Sequence, residues 1–365
     1  MAAHAHPAIS STSRFNFLWL ELTGKCNLKC VHCYAGSGPQ IPLVERMTHD
    51  DWLNAITSAR EAGCSGVQFV GGEPTLYPRL VELIDHARGL GYQPIEVYTN
   101  ATALTDNTLQ QFKDRGVRLA CSFYAVSAEV HDGITKSPGS FKRTVRGIRN
   151  ALRFEIPIRV GVIELPENRH EVEAAVELLK SMGVTKVGMD RVRGIGRGAN
   201  FVLGSTPAKE LCGACGQGRL AIDPSGKVFP CVMARDTPLG DISEGFPAIL
   251  AGSALVTFNA FIKGARQANI APDGCIPKAG EDGCTPSGSC EVYCEPNQAC
   301  EPQGLECLPK GIDKPGCLPG LEQGCVPIGG DPPCHPDVGA CPPVGLGGGG
   351  CVPAGKVLAP GAGRQ

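Results

Sequence analysis

The stretch Phe17-Leu-Trp-Leu-Glu-Leu-Thr-Gly-Lys-Cys-Asn-Leu-Lys-Cys-Val-His-Cys-Tyr34 joins an apolar run to a loop with three cysteines. The apolar part, residues 17–22, is typical of a buried strand in a parallel sheet. Cys26, Cys30 and Cys33 follow it with Cys-x3-Cys-x2-Cys spacing. Iron–sulfur clusters are usually held by four cysteines. A set of three therefore leaves one metal position open, and an open position allows a metal site to do chemistry.

Two simpler interpretations fit this cysteine pattern less well. Three closely spaced cysteines cannot all form local disulfides. A structural zinc site usually takes four ligands, often from two Cys-x2-Cys pairs. His32 offers a fourth ligand, but it lies between two of the cysteines, where the bite geometry is awkward. The pattern therefore favours an open metal site.

The whole chain has 365 residues, enough for one large domain or two ordinary ones. Its net charge of −2 gives no argument for nucleic acid or an acidic membrane as a partner. No apolar run is long enough to span a bilayer, and the first residues lack the pattern of a secretory signal. We therefore expect a cytoplasmic protein. In that compartment its 19 cysteines point to metal rather than to disulfides.

Residues 15–200 alternate between apolar runs and amphipathic segments. The runs predict parallel strands at residues 17–22, 66–70, 95–98, 118–123, 158–163 and 186–189. Helical patterns lie between them at residues 48–62, 80–90, 106–115, 140–153 and 169–182, most of them ending at a glycine. This alternation predicts an α/β fold, a partial (β/α)6 TIM-like barrel, after a disordered arm at residues 1–14. In such barrels the site forms at the carboxyl ends of the strands, where the three-cysteine loop falls.

The character of the chain changes after residue 200. Cys212-Gly-Ala-Cys215 precedes two short apolar runs around Pro224-Ser-Gly226, which predict a β-hairpin, and Cys231 follows. From about residue 271 the chain is rich in Cys, Pro and Gly. Cys-x-Pro recurs there at Cys275, Cys284, Cys294, Cys300, Cys307, Cys317, Cys325, Cys334, Cys341 and Cys351. Because this tract has almost nothing apolar to bury, residues 301–365 are predicted to be a disordered tail.

A second strong motif, Val70-Gly-Gly-Glu-Pro74, directly follows the second predicted strand. It therefore lies on the same face of the barrel as the cysteines. Two glycines allow the backbone to approach a ligand closely, and Glu73 offers a carboxylate to a cationic group. A plain strand-end turn explains Gly-Gly alone, but the four-residue motif after the cysteine pattern is hard to obtain by chance.

Together, these two motifs resemble those of the radical S-adenosylmethionine (SAM) superfamily. The resemblance extends over residues 15–200 and includes Tyr98-Thr-Asn-Ala-Thr102 and Ser122. It implies that Cys26, Cys30 and Cys33 hold a [4Fe–4S] cluster whose open iron takes SAM. It further implies cofactor-binding roles for His32, Gly71, Gly72, Glu73, Pro74, Asn100, Ser122 and Lys136. Tyr124-Ala125 stands where the family commonly has Asp-Gly, so the ribose contacts depart from the usual pattern.

The cysteines after residue 200 resemble a SPASM domain, the extension that holds auxiliary clusters in peptide-modifying members. Cys212 or Cys215, then Gly226 and Cys231, match its first motif, and Cys284-x5-Cys290-x3-Cys294 matches the end of its second. Lys278 and Glu281 stand where the second motif has cysteines. The resemblance thus implies one auxiliary cluster held within residues 201–300 by a set drawn from Cys212, Cys215, Cys231, Cys284, Cys290 and Cys294. A zinc knuckle of the first three remains an alternative.

The resemblance predicts an enzyme that cleaves SAM reductively and abstracts hydrogen from a ribosomally made peptide, forming a cross-link or an epimer. A small-molecule substrate and the maturation of a protein side chain are alternatives. A metal-binding scaffold with a degenerate barrel is an alternative of a different class. The predicted partners are a reductant such as ferredoxin or flavodoxin and a separate peptide-recognition protein.

Several other residues carry weaker signals. Asp190, Arg193 and Arg197 lie at the end of the sixth predicted strand, and both ligand contact and ordinary ion pairing remain open for them. The pattern Gly194-x-Gly196-x-Gly198 superficially resembles a dinucleotide loop, but no βαβ unit with a downstream acid accompanies it. Cys64 and Cys121 are predicted to be buried structural residues.

Overall fold

The computed structural model describes residues 15–267. Within this range nine strands form one sheet in the order β6-β5-β4-β3-β2-β1-β7-β8-β9. The strands are β1 (Phe17–Glu21), β2 (Gly66–Val70), β3 (Ile95–Tyr98), β4 (Arg118–Phe123), β5 (Ile158–Glu164), β6 (Lys186–Arg191), β7 (Arg219–Ile222), β8 (Lys227–Phe229) and β9 (Gly240–Asp241). Strands β1 to β6 are parallel and adjacent in chain order, so their carboxyl ends share one edge.

The helices of the described range lie between and after these strands. They are α1 (His49–Glu61), α2 (Leu80–Gly89), α3 (Asp106–Asp114), α4 (Ala128–Thr135), α5 (Ser140–Arg153), α6 (Val172–Ser181), α7 (Pro207–Glu210), α8 (Phe246–Ala251) and α9 (Ser253–Gln267). Short 3-10 turns occur at Pro74–Leu76, Arg169–Glu171, Gly196–Phe201 and Ile242–Glu244. The capping box predicted for α1 is present, because Thr48 and Asp51 each accept from the other's backbone N–H.

The predicted α/β fold with its six parallel strands is confirmed. Helix α4 was not predicted, because Val130, Gly133 and Thr135 are weak helix formers. Tertiary contacts stabilise it instead: Asp132 accepts hydrogen bonds from Ser140 and from the backbone N–H of Phe141, at the start of α5. The predicted disordered segments at residues 1–14 and 301–365 lie outside the described residues.

The hairpin predicted around residues 224–226 is also confirmed, as β7 and β8. The sequence did not predict where it would lie. Strand β7 pairs in parallel with β1, so Leu18 and Trp19 face Leu220 and Ala221 across the ladder. The hairpin that lies between Cys215 and Cys231 therefore continues the same sheet that carries the three-cysteine loop.

The side chain of His131 on α4 is buried among aromatic rings. Its ring centroid lies 5.2 Å from those of Phe123 and Tyr124 and 5.6 Å from that of Phe141. Burial lowers the pKa of His131 to about 4, and the nearby Asp132 carboxylate only partly opposes this shift. The folded protein therefore holds this imidazole neutral at pH values where the unfolded chain protonates it.

This burial predicts acid sensitivity of the fold. Because the folded pKa is below the unfolded value of about 6.5, the contribution of His131 is fully present above pH 6.5 and is lost as pH falls toward 4. Between pH 7.5 and 5 we expect wild type to lose about 2 kcal/mol more unfolding free energy than His131→Phe, which keeps the aromatic packing. Urea unfolding at both pH values measures this. The exposed His170 provides the control His170→Gln, and parallel losses in wild type and His131→Phe would contradict the prediction.

Candidate active site

An open cavity of about 880 Å³ lies at the carboxyl ends of the parallel strands. Its lining includes eight of the residues that the sequence predicted, namely Cys26, Cys30, Cys33, His32, Gly71, Gly72, Asn100 and Ser122. The fold therefore brings the cysteine pattern and the Gly-Gly motif to one cavity.

Residues 23–37, which contain the three cysteines, form a segment that we call the cluster loop. Its backbone is fixed by α4, because the N–H groups of Lys29 and Val31 donate to the carbonyls of Thr135 and Ile134 at 3.0 and 2.9 Å. The unpredicted helix is thus one of the supports of the cysteine site.

The three thiols fit a cationic metal centre. Burial, with the nearby Glu73 carboxylate, raises the pKa of Cys26 to about 12, and burial next to the other thiols raises that of Cys30 still further. Thiols in such surroundings become thiolates when a metal cation replaces their protons. Asn100 Nδ2 lies 3.7 Å from Cys26 Sγ and offers that sulfur a hydrogen bond. Hydrogen bonds of this kind orient metal ligands without contacting the metal.

Within residues 15–267, no three His, Cys, Asp or Glu side chains converge on the position of a single metal ion. This geometry does not exclude a cluster, because each thiolate of a four-iron cluster binds a different iron atom. The cysteines then surround a body larger than one ion. The donor set and its spacing around the cavity therefore fit a cluster better than a mononuclear site.

Gly71 and Gly72 lie directly against the cluster loop. A β-carbon on Gly71 would lie 2.6 Å from the carbonyl oxygen of Thr23, and its φ of +138° also disfavours a side chain. A β-carbon on Gly72 would lie 2.2 Å from the carbonyl oxygen of Lys25. The N–H groups of Gly72 and Glu73 donate to these same two carbonyls. Only glycine allows the two strand-end loops to pack this closely.

Three predicted cofactor residues lie outside the cavity lining. The Glu73 carboxylate is fully buried and accepts hydrogen bonds from Thr75, from Thr99 Oγ1 at 2.7 Å and from Asn100 N at 2.8 Å. It thus ties the loop after β2 to the loop after β3. Pro74 begins the adjacent 3-10 turn, and Lys136 ends α4 in the left-handed conformation with φ of 53°. Their contact with a cofactor stays a prediction.

The cavity lining also includes residues that had no role predicted from the sequence. Tyr98 Oη lies 2.8 Å from Ser122 Oγ, and the ring of Tyr124 meets that of His32 edge-on at 5.0 Å. Met233 reaches the lining from beyond the hairpin. Burial lowers the pKa of His32 to about 4, so its imidazole is neutral at physiological pH.

Some charged residues at the end of β6 form ion pairs, whereas Arg197 binds backbone carbonyls. Arg193 Nη2 pairs with Asp190 Oδ1 at 2.7 Å, and Arg191 Nη1 pairs with Glu210 Oε2 at 3.0 Å. For Asp190 and Arg193, the ion-pair interpretation is therefore confirmed, although Arg193 also lines the cavity. Arg197 contacts the cluster loop instead.

A second cavity of about 250 Å³ lies beside the hairpin, and its lining includes Cys212, Cys215, Cys231 and Trp19. The sulfurs of Cys215 and Cys231 are 2.7 Å apart. Hydrogen bonding to Cys212 and Cys231 raises the pKa of Cys215 well above its ordinary value. The indole Nε1 of Trp19 is buried without a hydrogen-bond partner. The three thiols fit a metal centre, and the indole N–H of Trp19 could donate a hydrogen bond to a sulfur atom of that centre.

Cys284, Cys290 and Cys294 lie outside the described residues, so their predicted roles as ligands stay untested.

Two sequence families match the two parts of the chain. The radical SAM superfamily matches residues 20–179, which contain the cluster loop and the strand ends that line the larger cavity. The SPASM family, an iron–sulfur cluster-binding domain, matches residues 212–276. The chain therefore contains a radical SAM domain and a SPASM domain. The first implies a [4Fe–4S] cluster and SAM, and the second implies auxiliary iron–sulfur binding, as the sequence predicted.

Individual relatives match this chain over part of their length. It is 31% identical to the AdoMet-dependent heme synthase of Methanosarcina barkeri over 176 residues, which is 48% of this chain and 50% of that protein. It is 24% identical to the subtilosin biosynthesis protein AlbA of Bacillus subtilis over 254 residues, 61% of this chain and 56% of that protein. The chain thus spans about half the length of the curated relatives it matches.

Solved structures share the fold at low sequence identity. SuiB of Streptococcus suis bound to S-adenosylmethionine matches with a TM-score of 0.55 at 13% identity, over 68% of each chain. The structure of anSMEcpe with bound AdoMet matches with a TM-score of 0.52 at 15% identity, over 67% of this chain and 82% of that one. In residues 15–267, no helix is long and apolar enough to cross a membrane.

Proposed function

We propose that this protein cleaves SAM reductively and uses the resulting radical to modify a ribosomally made peptide. One observation supports this proposal above the others: Cys26, Cys30 and Cys33 line the same cavity as Gly71 and Gly72. A cluster held by these three cysteines would supply the one electron needed to cleave SAM into methionine and a 5′-deoxyadenosyl radical, which abstracts hydrogen from the substrate.

The residues of this chain bind the cluster, orient SAM and shield the radical from water. The three thiolates hold the cluster, and the backbone of Gly71 and Gly72 offers polar groups to the amino group of SAM. The neutral ring of His32 and the ring of Tyr124 provide an apolar wall, and Ser122 offers a hydroxyl. The apolar part of the lining, which includes Met233, keeps water away from a reactive radical.

The peptide substrate is favoured by the extent of two resemblances. AlbA, by its name a bacteriocin biosynthesis protein, matches 61% of this chain, whereas the heme synthase matches 48%. SuiB, which shares the fold with a TM-score of 0.50, was solved with a bound precursor peptide. The same proposal includes an electron donor such as ferredoxin or flavodoxin, and a separate peptide-recognition protein. None of the eight cysteines in residues 15–267 forms a disulfide, which suits a reducing compartment such as the cytoplasm.

Anaerobic reconstitution of the full chain with iron and sulfide tests the proposal. We expect the reconstituted protein, with dithionite and SAM, to release 5′-deoxyadenosine, and the same mixture without dithionite to release none. Peptides encoded beside the gene are then added one at a time, and a change in peptide mass identifies the substrate. A protein that carries a reduced cluster and releases no 5′-deoxyadenosine with SAM would contradict the proposed chemistry.

A further inference from the structure

The segment of residues 193–198, which follows β6, lies against the cluster loop. Arg197 makes three hydrogen bonds to the backbone of that loop. Its backbone N–H donates to the carbonyl of Cys33 at 3.0 Å, and its Nε donates to the carbonyl of Cys30 at 2.8 Å. Its Nη2 donates to the carbonyl of Ser37 at 2.7 Å. One residue thus holds the backbone of two of the three predicted cluster ligands.

The glycines around Arg197 explain how the segment approaches so closely. Gly196 has a φ of +55°, and a β-carbon there would lie 2.3 Å from the carbonyl oxygen of Tyr34 and 2.7 Å from that of Cys33. A β-carbon on Gly198 would lie 2.1 Å from the carbonyl oxygen of Arg193. The Gly-x-Gly-x-Gly pattern therefore allows close packing of this segment against itself and the cluster loop, and it does not form a dinucleotide loop.

Arg197 differs from the neighbouring arginines in the groups that surround its charge. Arg191 and Arg193 each pair with a carboxylate. The side-chain hydrogen bonds of Arg197 go to uncharged carbonyls, and no carboxylate of residues 15–267 lies within 4.0 Å of its guanidinium. Since Arg197 also lines the cavity, its positive charge faces the cysteine site without local neutralisation.

We propose that Arg197 positions the cluster loop and raises the reduction potential of the cluster. This inference rests on the proposed function, because it requires the cluster to be bound. The potential of an iron–sulfur cluster depends on its surroundings, including nearby charge and hydrogen bonding. A fixed cation stabilises the more negative, reduced state, and the planar fork of arginine holds two carbonyls at once. Substitutions of Arg197 can separate the effect of its charge from the effect of its forked hydrogen bonds.

Three variants of the full chain test the two effects. Arg197→Gln removes the charge and the fork, Arg197→Lys keeps the charge and loses the fork, and Arg153→Gln removes a surface arginine that pairs with Asp106. Two measurements that need no turnover are made on reconstituted protein: the midpoint potential from a redox titration followed by electron paramagnetic resonance, and the rate of iron release to a chelator. Circular dichroism checks that each variant is folded.

We expect Arg197→Gln to have a more negative potential and to release iron about tenfold faster or more, since groups that support metal ligands contribute about 10–100-fold to affinity. Arg197→Lys is expected to keep the wild-type potential and to release iron faster. Arg153→Gln is expected to match wild type in both measurements. An unchanged potential in Arg197→Gln, or an equal shift in the lysine and glutamine variants, overturns the inference.

The wild-type protein separates this inference from the proposed function. If reconstituted wild type binds no cluster, or its reduced spectrum does not change on adding SAM, the proposed function fails. If wild type passes both checks and the midpoint potential of Arg197→Gln equals that of wild type, only the inference about Arg197 fails.

Discussion

Replacing Cys30 with alanine is expected to reduce the release of 5′-deoxyadenosine to background. Cys30 is the middle cysteine of the cluster loop and lines the cavity, where burial strongly raises its thiol pKa. Its removal leaves one iron without a protein ligand. Loss of a group that only supports a metal ligand costs up to about 100-fold in activity, so we expect loss of the ligand itself to cost more. Chromatographic detection of 5′-deoxyadenosine measures activity, and iron analysis measures the retained cluster.

Cys64 offers a matched control for this experiment. It is also a buried cysteine with a pKa raised to about 12, but its sulfur lies 3.3 Å from the carbonyl oxygen of Gly66 and it does not line the cavity. We expect Cys64→Ala to keep its iron and its activity. Equal activity in Cys30→Ala and wild type would rule out a role for Cys30 in SAM cleavage.

Replacing Arg235 with methionine is expected to destabilise the protein by about 3–5 kcal/mol at pH 8, because it leaves a buried carboxylate without its partner. Arg235 forms an ion pair with Glu21, which ends β1 and is 2% exposed. The guanidinium also lies over the rings of Tyr34 and Phe229, at 5.3 and 6.0 Å from their centroids. These contacts join the region after Cys231 to β1 and the cluster loop.

The loss is expected to depend on pH. Burial raises the pKa of Glu21 to about 7, although the Arg235 guanidinium lowers it in part. Because the folded pKa is raised, the contribution of Glu21 to the stability of the fold is fully present below the unfolded pKa of about 4.5. This contribution is lost as pH rises through 7. Without Arg235, the folded pKa rises further. The destabilisation should therefore be smaller at pH 6, where Glu21 becomes neutral, than at pH 8.

Urea unfolding at pH 6 and pH 8 measures both effects. The double variant Glu21→Gln with Arg235→Met removes both charges and is expected to recover most of the loss. Arg46, which pairs with Asp241 at the surface, gives the control Arg46→Met, for which we expect a much smaller change. If Arg235→Met and Arg46→Met lose the same free energy, the buried pair does not stabilise the fold in this way.

The sequence by itself determined the alternation of strands and helices, since hydrophobic periodicity and terminal glycines are local signals. It also determined that the cluster loop and Gly71–Gly72 would meet, because the carboxyl ends of adjacent parallel strands share one edge. Cys64 and Cys121 were correctly predicted to be buried. The resemblance to the superfamily rested on these same motifs and needed no knowledge of other contacts.

Only the tertiary structure decided which groups face the cavity. Glu73 turns inward to the loop after β3, Arg197 contacts the cluster loop more than 150 residues away in sequence, and β7 joins the edge of β1. Each outcome depends on hydrogen bonds and packing between segments far apart in the chain. Such contacts leave no period or spacing in the sequence, so local patterns could place these residues near the site but could not assign their partners.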